Sequence, residues 1–347
     1  MKRVYLDHNA TTPVRAEARD AMIAAMDLCG NPSSVHAEGR AAKSLIERSR
    51  AQIAEAFGAD GADIVFTSSA TESAALALSG RGLHGAPVEH DAVRAWTNED
   101  LSVSQHGIVE VPDPAGSTLQ LANSETGVVQ NLPQGLAVTD ATQAFGKLPV
   151  AFNWLGAEMA LISAHKLGGP KGCGALVLKR GTDLAAQIKG GGQEMGRRSG
   201  TENVIGIAGF AAAATAAARD LADGGWDRVA ELRNILENAL AVDAPETIFV
   251  GKESPRLPNT TCFATPGWKG ETQVMQMDLD GFAISAGSAC SSGKVRASAV
   301  LTAMGYDEIT AQGAVRVSLG LETTEEDVLR FAEAWLKKQK KHRARAA

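Results

Sequence analysis

Short apolar runs alternate with stretches of helical periodicity along this chain, and that alternation restricts its fold more than any other feature. Runs with the length and apolar content of buried strands cover residues 63–67, 159–163 and 174–178. Apolar residues recur at helical spacing over 41–57, 204–221 and 226–240. Because helices that alternate with short buried strands pack against the faces of one sheet, the pattern predicts an α/β fold with a largely parallel sheet.

A cluster of helix-breaking residues interrupts this pattern after the last of the long helices. Pro245, Gly251, Pro255 and Pro258 follow one another closely, which indicates a domain boundary near this point. The basic segment 337–343 lies near the end of the chain. We interpret it as a frayed, solvated helix end, with a docking site for a partner as the alternative.

Charge and cysteine usage argue against several classes of protein. The 347 residues include 34 Lys and Arg against 40 Asp and Glu, a net charge of −6, whereas a nucleic-acid binder needs a basic face. Four cysteines, Cys29, Cys173, Cys262 and Cys290, lack the CxxC spacing of zinc sites. No run reaches the ~18 uncharged apolar residues of a membrane span, and the N-terminus turns acidic at Asp7 before a signal segment can form. We therefore expect a soluble, cytoplasmic protein that binds no nucleic acid, membrane or metal.

A lysine and an aspartate stand at the ends of predicted strands, where α/β proteins bind ligands. Lys166 follows the run 159–163 and precedes a Gly-Pro loop, a position from which a lysine can form a Schiff base. Asp140 follows a shorter apolar stretch, and a carboxylate of this kind keeps a pyridine nitrogen protonated. Gln143 is placed to donate to a ring oxygen. A surface lysine and a capping aspartate are the ordinary alternatives.

Three further segments carry residue types suited to the same chemistry. Residues 68–73, Ser-Ser-Ala-Thr-Glu-Ser, join a predicted strand to a helix, and helix N-terminal amides with small hydroxyls bind phosphate. Cys290 lies in a polar, small-residue segment typical of an accessible thiol nucleophile. Arg316 lies within an apolar run, where it needs a partner such as a substrate carboxylate. Helix capping, a free cysteine and a structural ion pair remain the alternatives for each segment alone.

Ten ordered motifs, spread over nearly the whole chain, resemble those of the NifS/IscS-type cysteine desulfurases, which are class V aminotransferase relatives of pyridoxal-phosphate fold type I. The matching stretches are 5–13, 30–36, 66–73, 89–93, 125–130, 140–143, 163–166, 198–203, 287–292 and 316–320. The resemblance implies a large cofactor-binding domain, residues 13–243, with a mostly parallel sheet flanked by helices. It also implies a smaller α+β domain, made of residues 1–12 and 244–347, that carries the catalytic cysteine.

The resemblance implies a role for each matching residue. Lys166 would hold pyridoxal 5'-phosphate as a Schiff base, Cys290 would be the nucleophile, and His90 would stack on the cofactor ring as a third catalytic residue. The other residues implied to bind the cofactor are Ala70, Thr71, Asp140, Gln143, Ser163, His165 and Thr201, of which Thr201 would come from the second subunit of a homodimer. Those implied to bind the substrate are Arg316, Asn123 and Ser124.

The implied reaction converts L-cysteine to L-alanine and leaves the sulfur on Cys290 as a persulfide. The long stretch between Cys290 and Val300 matches the branch of the family that passes sulfur to a protein such as an iron–sulfur scaffold. The sequence departs from the family at Ser124, where a second asparagine is usual. The spacings from Thr71 to His90 and from Ser124 to Asp140 are also short, which predicts a trimmed large domain.

Two other functions are compatible with these residues. The chain would keep Lys166 but not need Cys290 if it were another fold type I enzyme, such as an aminotransferase or a selenocysteine lyase. A trimmed, inactive homologue that acts as a binding partner in sulfur trafficking would bind the cofactor but release no alanine. The sulfur acceptor, the preference between cysteine and selenocysteine, and the effect of Ser124 on activity do not follow from the sequence.

Overall fold

The computed structural model describes residues 3–287 and 297–346, and its elements follow the alternation expected from the sequence. The strands are β1 (Val4–Tyr5), β2 (Asp63–Thr67), β3 (His84–Gly85), β4 (Asn98–Glu99), β5 (Thr118–Gln120), β6 (Leu136–Asp140), β7 (Ala157–Ser163), β8 (Gly174–Leu178), β9 (Ile248–Phe249), β10 (Thr260–Ala264), β11 (Phe282–Ala283), β12 (Ser285–Ala286) and β13 (Ala314–Ser318). The helices are α1 (Ala16–Met26), α2 (Ala37–Ala56), α3 (Ala70–Leu78), α4 (Asp91–Arg94), α5 (Val204–Ala222), α6 (Gly225–Asp243), α7 (Gly270–Leu279), α8 (Ala299–Ala303), α9 (Glu308–Gln312) and α10 (Glu325–Ala346). Short 3₁₀ helices lie at Pro114–Gly116, Phe152–Trp154, Ala164–Lys166 and Gln193–Gly196.

The main sheet has the strand order β2-β8-β7-β6-β5. Strands β5, β6 and β7 are parallel, and β8 runs antiparallel to both of its neighbours, so four of the five strands point the same way. The expected α/β class and mostly parallel sheet are confirmed. Two of the predicted strands match β2 and β8, and the third lies within β7, which begins two residues earlier.

Helix α5 packs against both α1 and α2 on the main core. By its length and apolar composition alone it could span a membrane, and it is the only such helix in the part of the chain that the structure describes. Ten of its residues are buried within the protein, among them Phe210 and a series of alanines. Alanine side chains let neighbouring helices approach closely, so the composition of α5 is explained by its place in the core.

A second core forms around the antiparallel sheet β12-β13-β10-β9. Phe263, Trp268, Phe331 and Trp335 are buried at its centre. Strand β1 pairs with β11 in a separate two-stranded sheet, and Asp7 bridges to Ser318 at the end of β13, so the N-terminal residues pack against the C-terminal part of the chain. Helix α6 also contributes to this second core although it precedes residue 244; the boundaries 13–243 and 244–347 stay predictions.

Helix α10 packs through most of its length, in contrast to the frayed end expected for its basic segment. His342 stacks on Trp268 with ring centroids 5.5 Å apart. Lys338 pairs with Asp280 at 3.0 Å, and Arg343 pairs with Glu246 at 3.1 Å. The basic residues therefore balance acidic groups of neighbouring segments, while each exposed pair contributes at most ~1 kcal/mol to stability.

Candidate active site

A cavity of about 200 Å³ lies where strands β5, β6 and β7 end. The last residue of each strand, Gln120, Asp140 and Ser163, lines this cavity. Ligands bind outside the carboxyl ends of strands in open α/β sheets, because side chains from several strands converge there. Eight residues predicted from the sequence to bind the cofactor line this one cavity: Ala70, Thr71, His90, Asp140, Gln143, Ser163, His165 and Lys166.

The start of helix α3 forms one wall of the cavity through Ala70 and Thr71. Ser69 caps this helix by accepting a hydrogen bond from the Glu72 amide, and the Glu72 carboxylate accepts one from the Ser68 amide at 2.8 Å. The amides of the first helical turn and the helix dipole together favour an anion. Strand β8 passes close behind the loop at Gly174, where a Cβ atom would lie 2.6 Å from the Ser69 carbonyl carbon.

Ser163 adds an unsatisfied hydroxyl to the cavity wall. Its Oγ is buried and has no hydrogen-bond partner in the protein. Buried polar groups are nearly always paired, so an orphaned hydroxyl in a cavity wall indicates a bound polar ligand. Together with the α3 amides, this hydroxyl fits a phosphate group.

Lys166 lies in a 3₁₀ turn directly after β7. Its Nζ donates to the backbone oxygens of Asn9 at 2.6 Å and Ala10 at 2.9 Å. Thr12 closes the same contact from the other side, since its amide donates to the His165 oxygen and its hydroxyl to the Lys166 oxygen. The N-terminal motif therefore holds the lysine turn at the mouth of β7.

Two histidines, His90 and His165, border the cavity. Burial, with smaller contributions from Lys166 and other cations, lowers the pKa of His165 to about 4, and its Nδ1 lies 3.1 Å from the Thr11 hydroxyl. His90 caps α4, where its Nδ1 accepts a hydrogen bond from the Ala92 amide at 3.1 Å. That acceptor role fixes the orientation of the His90 ring and assigns the proton to Nε2.

Asp140 supplies the acidic group expected beside a pyridine nitrogen. Its Oδ1 accepts a hydrogen bond from the Thr142 amide at 2.9 Å, which fixes the carboxylate at the end of β6. Phosphate-binding amides, a carboxylate and a lysine amine in one cavity are the donor and acceptor types that pyridoxal phosphate needs. The residues present therefore fit this cofactor.

Arg316 lies on β13, outside the residues that line the cavity. The side chain is almost fully buried, donates to Asp7 at 2.7 Å and to the Ser124 oxygen at 3.0 Å, and leaves its Nε without a partner. An arginine that is paired with one carboxylate and still has an unused N–H donor can bind a second carboxylate. Ser124 itself lines the cavity, so Arg316 is linked to the site through that residue's backbone.

Asn123 is placed differently from its predicted partner Ser124. Its side chain is buried within the loop, where Oδ1 accepts from the amides of Glu125 and Thr126 and Nδ2 donates to the Val88 oxygen. It is not among the residues that line the cavity. The amide of Asn123 therefore holds the turn that presents Ser124.

Besides Arg316 and Asn123, one more described residue of the predicted site lies outside this cavity. Thr201 is exposed and does not line the cavity of its own chain. Cys290 lies outside the described residues. Of the three described cysteines, Cys173 and Cys262 are buried, and burial raises the pKa of each thiol, to about 12 for Cys173, so both stay protonated and unreactive.

The sequence reasoning missed several residues that shape this site. Gln120 and Thr142 line the cavity directly. Asn9 and Lys147 form a buried network with Gln143 next to the cavity. The signal for Lys147 was its position within the apolar stretch after Gln143, where a charged residue requires polar partners.

Known proteins are similar to this chain over most of its length. The family model described as aminotransferase class-V matches residues 4–98 and 113–331. The chain is 37% identical over 366 residues to the cysteine desulfurase IscS of Dictyoglomus turgidum, covering 94% of this chain and 92% of that protein. It is 39% identical over 381 residues to a cysteine desulfurase of Frankia sp., covering 95% and 90%. Among solved structures, a NifS-like protein from Rickettsia africae superimposes with a TM-score of 0.88 at 32% identity, covering 96% of this chain and 99% of that one.

Proposed function

We propose, on the premise that this chain belongs to the class-V aminotransferase family, that Lys166, Asp140 and Cys290 are the central groups of its reaction. The chain is a pyridoxal-phosphate-dependent cysteine desulfurase. It converts L-cysteine to L-alanine, and the sulfur it removes serves iron–sulfur cluster or thio-cofactor synthesis. The observation that supports the residue assignment is the convergence of eight predicted residues on one cavity at the strand ends.

Lys166 and the residues around it would hold the cofactor. Lys166 would attach to its aldehyde carbon, the α3 amides, Ser163 and His165 would bind its phosphate, and Asp140 would keep its ring nitrogen protonated. When bound, pyridoxal phosphate supplies an electron sink for the carbon next to the substrate's amino group. The Lys166 amine, whose Nζ lies beside the backbone oxygens of Asn9 and Ala10, would serve as the base that moves a proton at this carbon.

Arg316 binds and orients the substrate carboxylate in this proposal. Its guanidinium is fixed by Asp7 and by the Ser124 oxygen, so it needs no reorganisation when the substrate arrives. The Cys290 thiolate attacks the substrate sulfur, a sulfur–sulfur bond forms, and the carbon–sulfur bond of the substrate breaks. Alanine leaves after its carbon is protonated, and Cys290 carries the persulfide.

We further propose a cytoplasmic homodimer that passes its persulfide sulfur to a protein such as an iron–sulfur scaffold. Thr201 is exposed and outside its own chain's cavity, which suits a residue that completes the phosphate site of the partner. Cross-linking or analytical ultracentrifugation measures the dimer. Thr201→Ala should weaken cofactor binding only where the protein is dimeric.

The reaction is tested by incubating the purified holoenzyme with L-cysteine and measuring alanine and sulfide. Cys290→Ala should lose alanine release, whereas Cys29→Ala, which alters an exposed described cysteine, should retain it. Undiminished alanine release by Cys290→Ala would remove the persulfide mechanism. Such a result would favour an aminotransferase or selenocysteine lyase, in which Cys290 is dispensable.

The cofactor attachment is tested separately. Borohydride reduction of the holoenzyme followed by peptide mapping should place the reduced adduct on Lys166. An adduct on any other lysine would contradict the assignment, and retention of the adduct in Lys166→Ala would do so as well.

A further inference from the structure

A second lysine lies buried next to the cavity and has no role in the reaction described above. Lys147 is only 2% exposed. Its Nζ donates to Gln143 Oε1 at 2.8 Å and to Asn9 Oδ1 at 3.3 Å. Burial, together with the charges of Lys166 and Arg316, holds its pKa well below the usual range. Two of the amine hydrogens satisfy both of these bonds.

These bonds settle which way the Gln143 amide faces. Its Oε1 is taken by Lys147, and its Nε2 donates one hydrogen to the Asn9 backbone oxygen at 2.9 Å. Gln143 also lines the cavity, whereas Lys147 does not. The Nε2 hydrogen that remains is therefore the donor that Gln143 can offer to a ligand, since its oxygen is bonded to Lys147.

Asn9 connects the same network to the catalytic lysine. Its backbone oxygen accepts from both Gln143 and Lys166, and its Oδ1 accepts from both Lys147 and Asn259. Its Nδ2 donates to Thr260 Oγ1 at 2.8 Å, which anchors the network to β10. A buried hydrogen-bonded network of this kind holds its members in one arrangement.

We propose that Lys147 is a positioning residue that keeps the Gln143 amide turned with its N–H toward the cofactor ring oxygen. The inference rests on the proposed assignment of the cavity to pyridoxal phosphate. Without the Lys147 donor, Oε1 loses its partner, and only the Nε2 bond to the Asn9 oxygen still opposes a half-turn that would present an oxygen to the ring oxygen. Two acceptors then face each other, and the hydrogen bond to the cofactor is lost.

The test compares Lys147→Met, Gln143→Met and the double variant. Lys147→Met shortens the unbranched side chain by only one atom and removes its donors. Three quantities are measured for each protein: the dissociation constant of pyridoxal phosphate from the apoprotein, the visible absorbance maximum of the bound cofactor, and the urea midpoint of the apoprotein. Lys179→Met, which removes a lysine from an exposed ion pair with Glu158, is the control.

Lys147→Met should weaken cofactor binding roughly 3- to 10-fold, the effect of one hydrogen bond, and should shift the absorbance maximum in the same direction as Gln143→Met. The double variant should resemble Gln143→Met in both properties, because Lys147 acts through Gln143. Lys179→Met should leave all three quantities unchanged.

A purely structural role would give a different pattern. Lys147→Met would then lower the urea midpoint but leave the absorbance maximum unchanged, or its effect on binding would add to that of Gln143→Met; either result overturns the inference. If Gln143→Met itself has no effect, the assignment of Gln143 in the proposed function fails, and the inference fails with it. Should Lys147→Met not fold, Lys147→Gln, which retains a shorter donor, is measured in the same way and should show a smaller loss of affinity; no loss would overturn the inference.

Discussion

Replacing Ser163 by alanine should raise the stability of the apoprotein and lower its affinity for the cofactor. Its Oγ is buried in the cavity wall without a hydrogen-bond partner in the protein. An unpaired buried hydroxyl destabilises the folded chain, so its removal relieves a cost. The same hydroxyl is proposed to bind the cofactor phosphate, so its removal weakens the holoenzyme.

The two magnitudes follow from the same atom. An unsatisfied buried polar group costs roughly 1–3 kcal/mol, so Ser163→Ala should raise the unfolding free energy of the apoprotein by about 1 kcal/mol. A hydrogen bond to a charged phosphate contributes roughly 1.5–3 kcal/mol, so cofactor affinity should fall roughly 10- to 100-fold.

Ser73 provides a matched control. Its side chain is fully buried in α3, but its Oγ is paired with Thr67 Oγ1 at 2.8 Å and it does not line the cavity. Ser73→Ala should therefore destabilise the apoprotein by roughly 1 kcal/mol, because it leaves the Thr67 hydroxyl without that partner. It should leave cofactor affinity nearly unchanged.

The assay is urea unfolding of the Ser163→Ala and Ser73→Ala apoproteins at equal concentration, combined with fluorescence titration of each by pyridoxal phosphate. The reasoning is refuted if Ser163→Ala destabilises the apoprotein as much as Ser73→Ala does. Unchanged cofactor affinity in Ser163→Ala would separately refute the phosphate assignment, whatever the stability result.

Three further results are expected. Burial and the nearby Asp140 charge raise the pKa of Glu89 to about 8, against an unfolded value near 4.5, so the wild-type apoprotein loses stability as the pH rises through this window. Glu89→Gln cannot titrate, so its free energy of unfolding relative to that of the wild type should increase by about 3 kcal/mol between about pH 5.5 and 8, measured by urea unfolding. Arg316→Lys loses the planar fork that suits a carboxylate and should raise KM for cysteine about 10-fold or more with a smaller change in kcat, measured from alanine release. Gly174→Ala would place a Cβ 2.6 Å from the Ser69 carbonyl carbon, so it should lower apoprotein stability by roughly 1–3 kcal/mol and weaken cofactor binding in the same titration.

Local periodicity was sufficient to locate the main elements. The predicted strands coincide with β2 and β8 and lie within β7, and the three predicted helices correspond to α2, α5 and α6. Strand and helix periods depend on neighbouring residues alone, so they are visible in the sequence. The reversed direction of β8 between β2 and β7 depends instead on how distant segments pair, and no local pattern encodes it.

Motifs located most of the candidate site because its residues stand at the ends of local elements. Lys166, Asp140 and Ser163 each follow or end a strand, and the carboxyl ends of parallel strands meet at one edge of a sheet. The exceptions are residues whose partners are far away in sequence. Asn123 donates to the Val88 oxygen across 35 positions, and Lys147 is matched with Asn9 across 138 positions.

The sequence by itself determined the α/β class, the strand ends that carry the proposed cofactor-binding residues, and the family to which the chain belongs. Only the tertiary structure decided how those residues are held. It brought the N-terminal segment against Lys166, placed the guanidinium of Arg316 between Asp7 and the Ser124 oxygen, and left the Ser163 hydroxyl without a protein partner. The reason is physical: residue type and local period specify an element, whereas burial and hydrogen-bond pairing depend on which distant groups the fold brings into contact.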